Sequence, residues 1–442
     1  MHTKFCDGLP RRDILRIGAA GAFGFGLSLP ELLARQAAAA GKAARDDVSL
    51  IILFLKGGLS TIDTFDLKPD APAEFRGEFN PISTNVAGTQ ICEHLPRVAG
   101  QMEKFSLIRS FGHHDSNHGP ADHYMLTGYA PTAGFNPSVS PNNQKPSYGS
   151  IISRKLGPRG SVPAYVCLPR MHPSAGAAYL GPAAAPFVIE ADPNAPGFAV
   201  PDLAPPLELD AARLASRREV LAKVDRYQQA AEVSANRSAR TVNVFRQRAF
   251  DLMTSPEAKR AFDISAESEK LRDEYSRSSL GQSCLMARRL VEAGVRCVTI
   301  DHTNWDTHDN NFHVLKTELL PALDAGMSTL FADLSQRGML ARTLVLVTGE
   351  FGRTPRINKN AGRDHWGPSF TVMLGGGGIQ GGRVVGASDA RAEKPAGDAR
   401  SPADLTATMC HLLGIHPEEE FYTPEGRPIK IANDGRLIRE LV

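Results

Sequence analysis

The chain has 442 residues, 42% hydrophobic and 22% charged, long enough for one large α/β domain or two ordinary ones. Lys and Arg total 50 against 48 acids, a formal charge of +2 with no basic block, which argues against nucleic acid as a partner. Six cysteines without a Cys-x-x-Cys pair support neither a disulfide scaffold nor a zinc knuckle.

The N-terminus carries Arg11-Arg12-Asp13-Ile14-Leu15, a short apolar run from Ile17 to Leu29, and an alanine-rich stretch from Ala34 to Ala40. This is the layout of a twin-arginine signal, and the run is too short and glycine-rich for a comfortable membrane span. Residues 1–45 are therefore read as signal peptide and linker. Residues 46–442 are read as a single domain with a loop-rich and helical insertion around 131–280. The expected mature protein spans no membrane and is carried, already folded, by the Tat export machinery to the periplasm or the cell exterior. Folding before export suits a metal loaded in the cytoplasm.

Val48 to Leu55 is a continuous apolar run ending at Lys56-Gly57-Gly58, the pattern of a strand buried on both faces. A helix is expected to begin near Pro120 and run through Thr127. Pro131 to Pro206 reads as loops and short strands. From Leu207 to about Lys270 the composition is charged and helical, with Arg213, Arg217, Arg218 and Glu219 on a solvated face. A helical stretch, Leu280 to Ala293, precedes a strand from Val295 to Asp301. Further strands are expected at Thr343 to Thr348, before Gly349-Glu350-Phe351-Gly352, and at Phe370 to Leu374, before four glycines. Ser401-Pro402-Ala403-Asp404 opens a last helix, with serine as cap, whose apolar face runs from Leu405 to Leu413 and stops at Gly414. Strands separated by helices imply an α/β fold with a largely parallel sheet. Ligands of such sheets bind at the carboxyl ends of the strands, where Asp63, Asp66, Asp301, Asp306, His308 and Glu350 gather.

Three clusters carry chemistry. Four of the 13 histidines fall between His113 and His123, around Ser116 and the expected helix start. Imidazole and carboxylate are ligands for zinc and similar ions, and a helix N-terminus favours anions. Asp306 and His308 are two apart, so an extended chain turns both to one side to share an ion. Glu350 lies just past a buried strand, where an unpaired carboxylate is costly, so a metal or Arg353 is expected to satisfy it. Asp364-His365 adds a further ligand pair on a glycine-flanked loop. Gly375 to Gly378 lacks the spacing of a dinucleotide fingerprint, and an oxidoreductase finds no support.

Leu53-Phe54-Leu55-Lys56-Gly57-Gly58, Asp63-Thr64-Phe65-Asp66, Trp305-Asp306-Thr307-His308, Gly349 to Pro355 and Gly362-Arg363-Asp364-His365-Trp366 resemble the bacterial family called domain of unknown function 1501. The resemblance covers essentially all of the mature chain. It implies an alkaline-phosphatase-like, sulfatase-like α/β fold with a largely parallel central sheet flanked by helices. Where sulfatases carry Cys-x-Pro-x-Arg before Leu-Thr-Gly, this chain has His118-Gly119-Pro120-Ala121-Asp122 before Leu126-Thr127-Gly128, which excludes a formylglycine sulfatase at that position. Lys56-Gly57-Gly58 stands where the superfamily's first strand ends in a metal-binding aspartate, leaving Asp63 or Asp66 to serve. Glu350 replaces another aspartate, and His365 supplies a detached histidine.

The activity implied is hydrolysis of phosphate or sulfate esters on an anionic small molecule or polysaccharide, with one or two divalent ions (zinc, manganese or calcium). Glu350, Asp306, His308 and His365 are the preferred ligands, with Asp63, Asp66 and His114 as further candidates. The nucleophile is an ion-activated water, His118, or Ser116 activated by a neighbouring histidine, and Arg353 or Lys56 neutralises the anion. The alternative is a binding or scaffolding protein that keeps the fold and the metal without turnover.

Overall fold

The apolar runs become strands of one sheet. The structure, a computed structural model, describes residues 47–200 and 254–442, together with positions 216, 219 and 252. The twin-arginine segment and Arg213, Arg217 and Arg218 lie outside the described residues; Glu219 is helical and exposed. Val48–Val442 forms one compact unit.

The strands that frame the site are, in chain order, β1 (Ser49–Leu55), β2 (Phe105–Phe111), β3 (Tyr165–Leu168), β4 (Phe187–Val188), β5 (Cys297–His302), β6 (Thr343–Thr348), β7 (Gly352–Arg353), β8 (His365–Trp366), β9 (Phe370–Gly375) and β10 (Val384–Val385). The eight-stranded central sheet has the order β10-β2-β9-β6-β1-β5-β3-β4, while β7 and β8 pair as a small separate hairpin. β1 lies between β5 and β6, parallel to both. β9 is antiparallel to β2 and to β6, and every other pairing in the sheet is parallel. The sequence marks β9 as a strand but not its direction. A parallel return needs a crossover, usually helical, whereas the stretch from Thr348 to Phe370 holds only the β7–β8 hairpin.

Every residue of β1 is buried, because both faces of the sheet are covered. Ile51, Leu53 and Leu55 enter one apolar cluster and Leu50, Ile52 and Phe54 the other. Five longer helices matter here: α1 (His118–Thr127), α2 (Tyr148–Leu156), α3 (Ser279–Glu292), α4 (Leu320–Gln336) and α5 (Pro402–Leu412). α3 and α4 pack with the first cluster; α1, α2 and α5 pack with the second. α5 starts with a capping box in which Ser401 and Asp404 satisfy each other's backbone N–H groups, which is why the chain turns helical there. The five described cysteines are buried and free.

Candidate metal centre

The centre forms where β1, β5 and β6 end side by side. β1 passes into Lys56-Gly57, β5 into the loop carrying Asp306 and His308, and β6 into Glu350. α1 begins with His118, and the β7–β8 hairpin brings Arg353 opposite His365. Gly57 makes the convergence possible: its φ is +115°, and a Cβ there would lie 2.3 Å from the Asp306 backbone nitrogen.

Three acceptor atoms meet. Asp306 Oδ1 lies 3.0 Å from His365 Nε2 and 3.0 Å from His308 Nε2, and the two Nε2 atoms are 2.9 Å apart. The far side of each ring is engaged. His308 Nδ1 faces Asp364 Oδ1 at 2.6 Å, and His365 Nδ1 faces the Ser116 carbonyl at 3.0 Å. Both partners only accept, so each ring donates through Nδ1, and the tautomer that follows leaves a lone pair on each Nε2. Two lone pairs and a carboxylate oxygen at contact distance repel unless a cation stands among them or a ring takes a second proton. Arg353 Nη1 also donates to Asp306 Oδ1 at 2.6 Å, which stabilises the carboxylate but provides neither imidazole with a donor.

His118 borders this cluster. Its Nε2 is 3.3 Å from Asp306 Oδ2, and its Nδ1 is 2.6 Å from Oε1 of the fully buried Glu350. Asp306 and Glu350 together raise the His118 pKa to about 10, so the ring is an imidazolium. His118, Asp306 and His365 also form a group whose ligand atoms lie within 4.8 Å of one another. Phe351 stacks on the His365 ring, centroids 4.5 Å apart, and lies 5.1 Å from that of His118. Partial burial acts to raise the Asp306 pKa, but its neighbours His118, His365 and Arg353 hold its carboxyl well below the ordinary range.

Glu350 was expected to take a metal or Arg353. Instead both its oxygens accept from the Gly57 N–H, at 2.9 and 3.0 Å, and Oε1 also meets His118. Burial raises its pKa and the imidazolium opposes that shift. Arg353 goes to Asp306, to the Gly57 carbonyl (2.8 Å) and to the Arg363 carbonyl (2.6 Å).

Asp63, Asp66 and His114 stay out of the cluster. Asp63 is fully engaged in the interior: Arg363 binds it through two nitrogens at 2.7 and 2.8 Å, with Ser60 Oγ at 2.6 Å and Asn311 Nδ2 at 2.9 Å. Arg363 spends its remaining donors on the carbonyls of Thr354, Pro355 and Phe75, so this pair clamps the β7–β8 hairpin to the chain after β1. Asp66 is held by Lys68, Arg109 and Ser388. His114 projects into solvent, 3.7 Å from Asp115. Ser116 reaches the site through its carbonyl; its hydroxyl accepts the Gly367 N–H at 3.0 Å and meets no histidine. Lys56 is half-buried, and its charge acts on Asp301 and His172.

Sequence reasoning took Asp364 for a ligand rather than the partner of His308, and missed that Asp122 on α1 and Asp301 on β5 flank the buried His172. His172 Nε2 lies 3.3 Å from Asp122 Oδ1, and its Nδ1 accepts the Ser174 N–H. Asp122 stands four residues after His118 on an expected helix, which was the available signal. Nothing marked His172, which arrives from the loop after β3.

No curated protein matches the chain. Solved structures with a distantly similar fold include PsFucS1 sulfatase from Pseudoalteromonas sp. (14% identity, TM-score 0.37, covering 83% of this chain and 68% of that one). They also include the lipoteichoic acid synthase LtaP from Listeria monocytogenes (11%, 0.38, 88% of each chain). A third is the phosphonate monoester hydrolase SpPMH from Silicibacter pomeroyi (14%, 0.34, 89% and 75%). A family profile described as "Protein of unknown function (DUF1501)" matches residues 47–442. With that match running through the whole of the compact unit to the last residue, the chain belongs to the DUF1501 family.

Proposed function

We propose that this protein is a metal-dependent hydrolase of phosphate or sulfate esters, with Asp306, His308 and His365 as the ligands of one divalent ion. The observation that carries the reading is the meeting of two imidazole lone pairs and a carboxylate oxygen within 3.0 Å, each ring fixed from behind. Two nitrogens and one oxygen suit zinc or manganese; calcium takes oxygen ligands and fits this set poorly. Among the described residues nothing comparable is built for a second ion: Glu350 is taken by Gly57 and His118, and Asp63 and Asp66 by their arginine and lysine partners. Bound there, the ion would supply polarisation of an ester oxygen and a more acidic water.

The chain's own groups do the rest. Arg353, anchored on two carbonyls, fixes Asp306. Glu350 and the Gly57 N–H hold His118 at the first residue of α1, where its Nε2 proton is directed at the cluster. An imidazolium there neutralises the ester anion and passes that proton to the leaving oxygen, a role that suits its charge better than nucleophilic attack. With the Ser116 hydroxyl committed to Gly367, water is the nucleophile. The substrate class is an anionic small-molecule or polysaccharide ester. The Arg11-Arg12 segment supports Tat export to the periplasm or beyond, and no helix among the described residues is long and apolar enough to cross a membrane.

A second reading, an ion-holding binding or scaffolding protein, is favoured by Lys56 standing where a carboxylate is expected and by an imidazolium locked between two acids. Purified protein supplied with zinc, manganese or calcium, and assayed on aryl phosphates, phosphodiesters and aryl sulfates, separates the two. The hydrolase reading expects turnover that Asp306→Ala abolishes. Metal-loaded protein inert across the panel supports the binding role instead.

A further inference from the structure

We infer that Asp364 is a positioning residue of the centre: its carboxylate sets His308 in the tautomer that leaves Nε2 open to a cation. The inference rests on the cation-binding reading above and adds a residue to it.

His308 offers one nitrogen to the cluster and the other to Asp364 Oδ1, at 2.6 Å. An ionised carboxylate only accepts, so the proton on His308 stays at Nδ1. In the opposite tautomer, a proton on Nε2 would point at His365 Nε2 and Asp306 Oδ1 and close the position to an ion. Asp364 is itself held. Its N–H donates to Thr354 Oγ1 at 2.9 Å, and its carbonyl accepts the Thr354 N–H at 2.7 Å. Asn358 Nδ2 lies 3.3 Å from Asp364 Oδ1 and 2.9 Å from the His308 carbonyl, tying both partners to one amide. Gly362 permits the approach, since a Cβ there would meet the His308 carbonyl at 1.8 Å.

Stability does not account for this arrangement. The Asp364 side chain is 55% exposed and that of His308 39%, and ion pairs at such exposure contribute little to folding. What the contact does supply is a fixed ring. His365 receives the same service from the Ser116 carbonyl, which no side-chain substitution removes. Asp364 is therefore the lock that mutagenesis can open.

The test uses the full chain, with zinc affinity measured by competition against a chromophoric chelator. The His308 tautomer is read from 15N-histidine shifts of the metal-free protein. Asp364→Ala is expected to weaken zinc binding about 10- to 100-fold, to give His308 shifts of mixed tautomers, and to leave the metal-free melting temperature unchanged. Asp364→Asn, whose amide oxygen still accepts, is expected to keep the tautomer and most of the affinity. Should the alanine variant melt early, the asparagine variant and the shifts decide. A wild-type protein that binds zinc, with both variants equal to it in affinity and tautomer, overturns the role of Asp364 alone. A wild-type protein that binds no zinc overturns the centre beneath it as well.

Discussion

Ser116 and His118 are two residues apart and play different parts, because one enters the site by its backbone and the other by its ring. The Ser116 carbonyl orients His365, so Ser116→Ala is expected to leave kcat close to wild type. His118→Ala removes the proposed proton donor and is expected to lower kcat by about 10²- to 10⁴-fold. Equal losses in the two variants would put the serine hydroxyl back into the chemistry. The neighbouring His123 has another task. It is fully buried, with Nδ1 on the Tyr129 carbonyl (2.9 Å) and Nε2 accepting the Gln144 N–H (3.1 Å). Burial lowers its pKa to about 4, so the fold keeps it neutral. Above pH 6.5 that costs nothing. Between pH 6.5 and 4 the unfolded chain takes up a proton that the folded one refuses, and stability falls by up to about 3 kcal/mol. Melting temperatures from pH 7 to 4.5 are expected to fall less steeply for His123→Gln than for wild type; parallel curves would contradict this. A cluster of histidines in sequence thus gave one member to the site. Position along α1 separates His118 from His123, and that depends on which face the helix turns to the sheet.

At the scale of elements, the hairpin between β6 and β9 carries Arg353, Asp364 and His365, and one buried ion pair holds it. Asp63 and Arg363 are 300 positions apart in sequence and both almost fully buried, so their pairing was not legible from either neighbourhood. Asp63 therefore read as a spare ligand. Breaking a buried pair leaves the other charge unpaired, and Arg363→Met is expected to cost about 3–5 kcal/mol in urea unfolding and to weaken metal binding along with it. Unchanged stability would mean that the hairpin is held by other contacts. Strands were easier to read than their directions. Thr343 to Thr348 has the same bounds in sequence and structure because an apolar, β-branched run between turn signals leaves little choice. The direction of β9 depended on the connection before it.

For the whole molecule, the rule that ligands meet at the carboxyl ends of parallel strands had most predictive content. β5, β1 and β6 are adjacent, so the residues just beyond them meet whatever their spacing in sequence. That made Asp306, His308 and Glu350 legible as neighbours in the sequence alone. It did not say which would face one another, since Glu350 turned to Gly57 and His118. Export belongs to this scale too. Replacing Arg11 and Arg12 by lysine is expected to leave the precursor in the cytoplasm, checked by fractionation against wild type; normal export of the lysine pair would remove the twin-arginine reading.

The proposed function requires one cation held between Asp306, His308 and His365. Metal content per chain, measured by mass spectrometry after loading with zinc and exhaustive buffer exchange, tests it most directly. One ion per chain in the wild type and almost none in His365→Ala is the predicted result. A wild type that retains no metal, or a His365→Ala variant that retains as much, would contradict it.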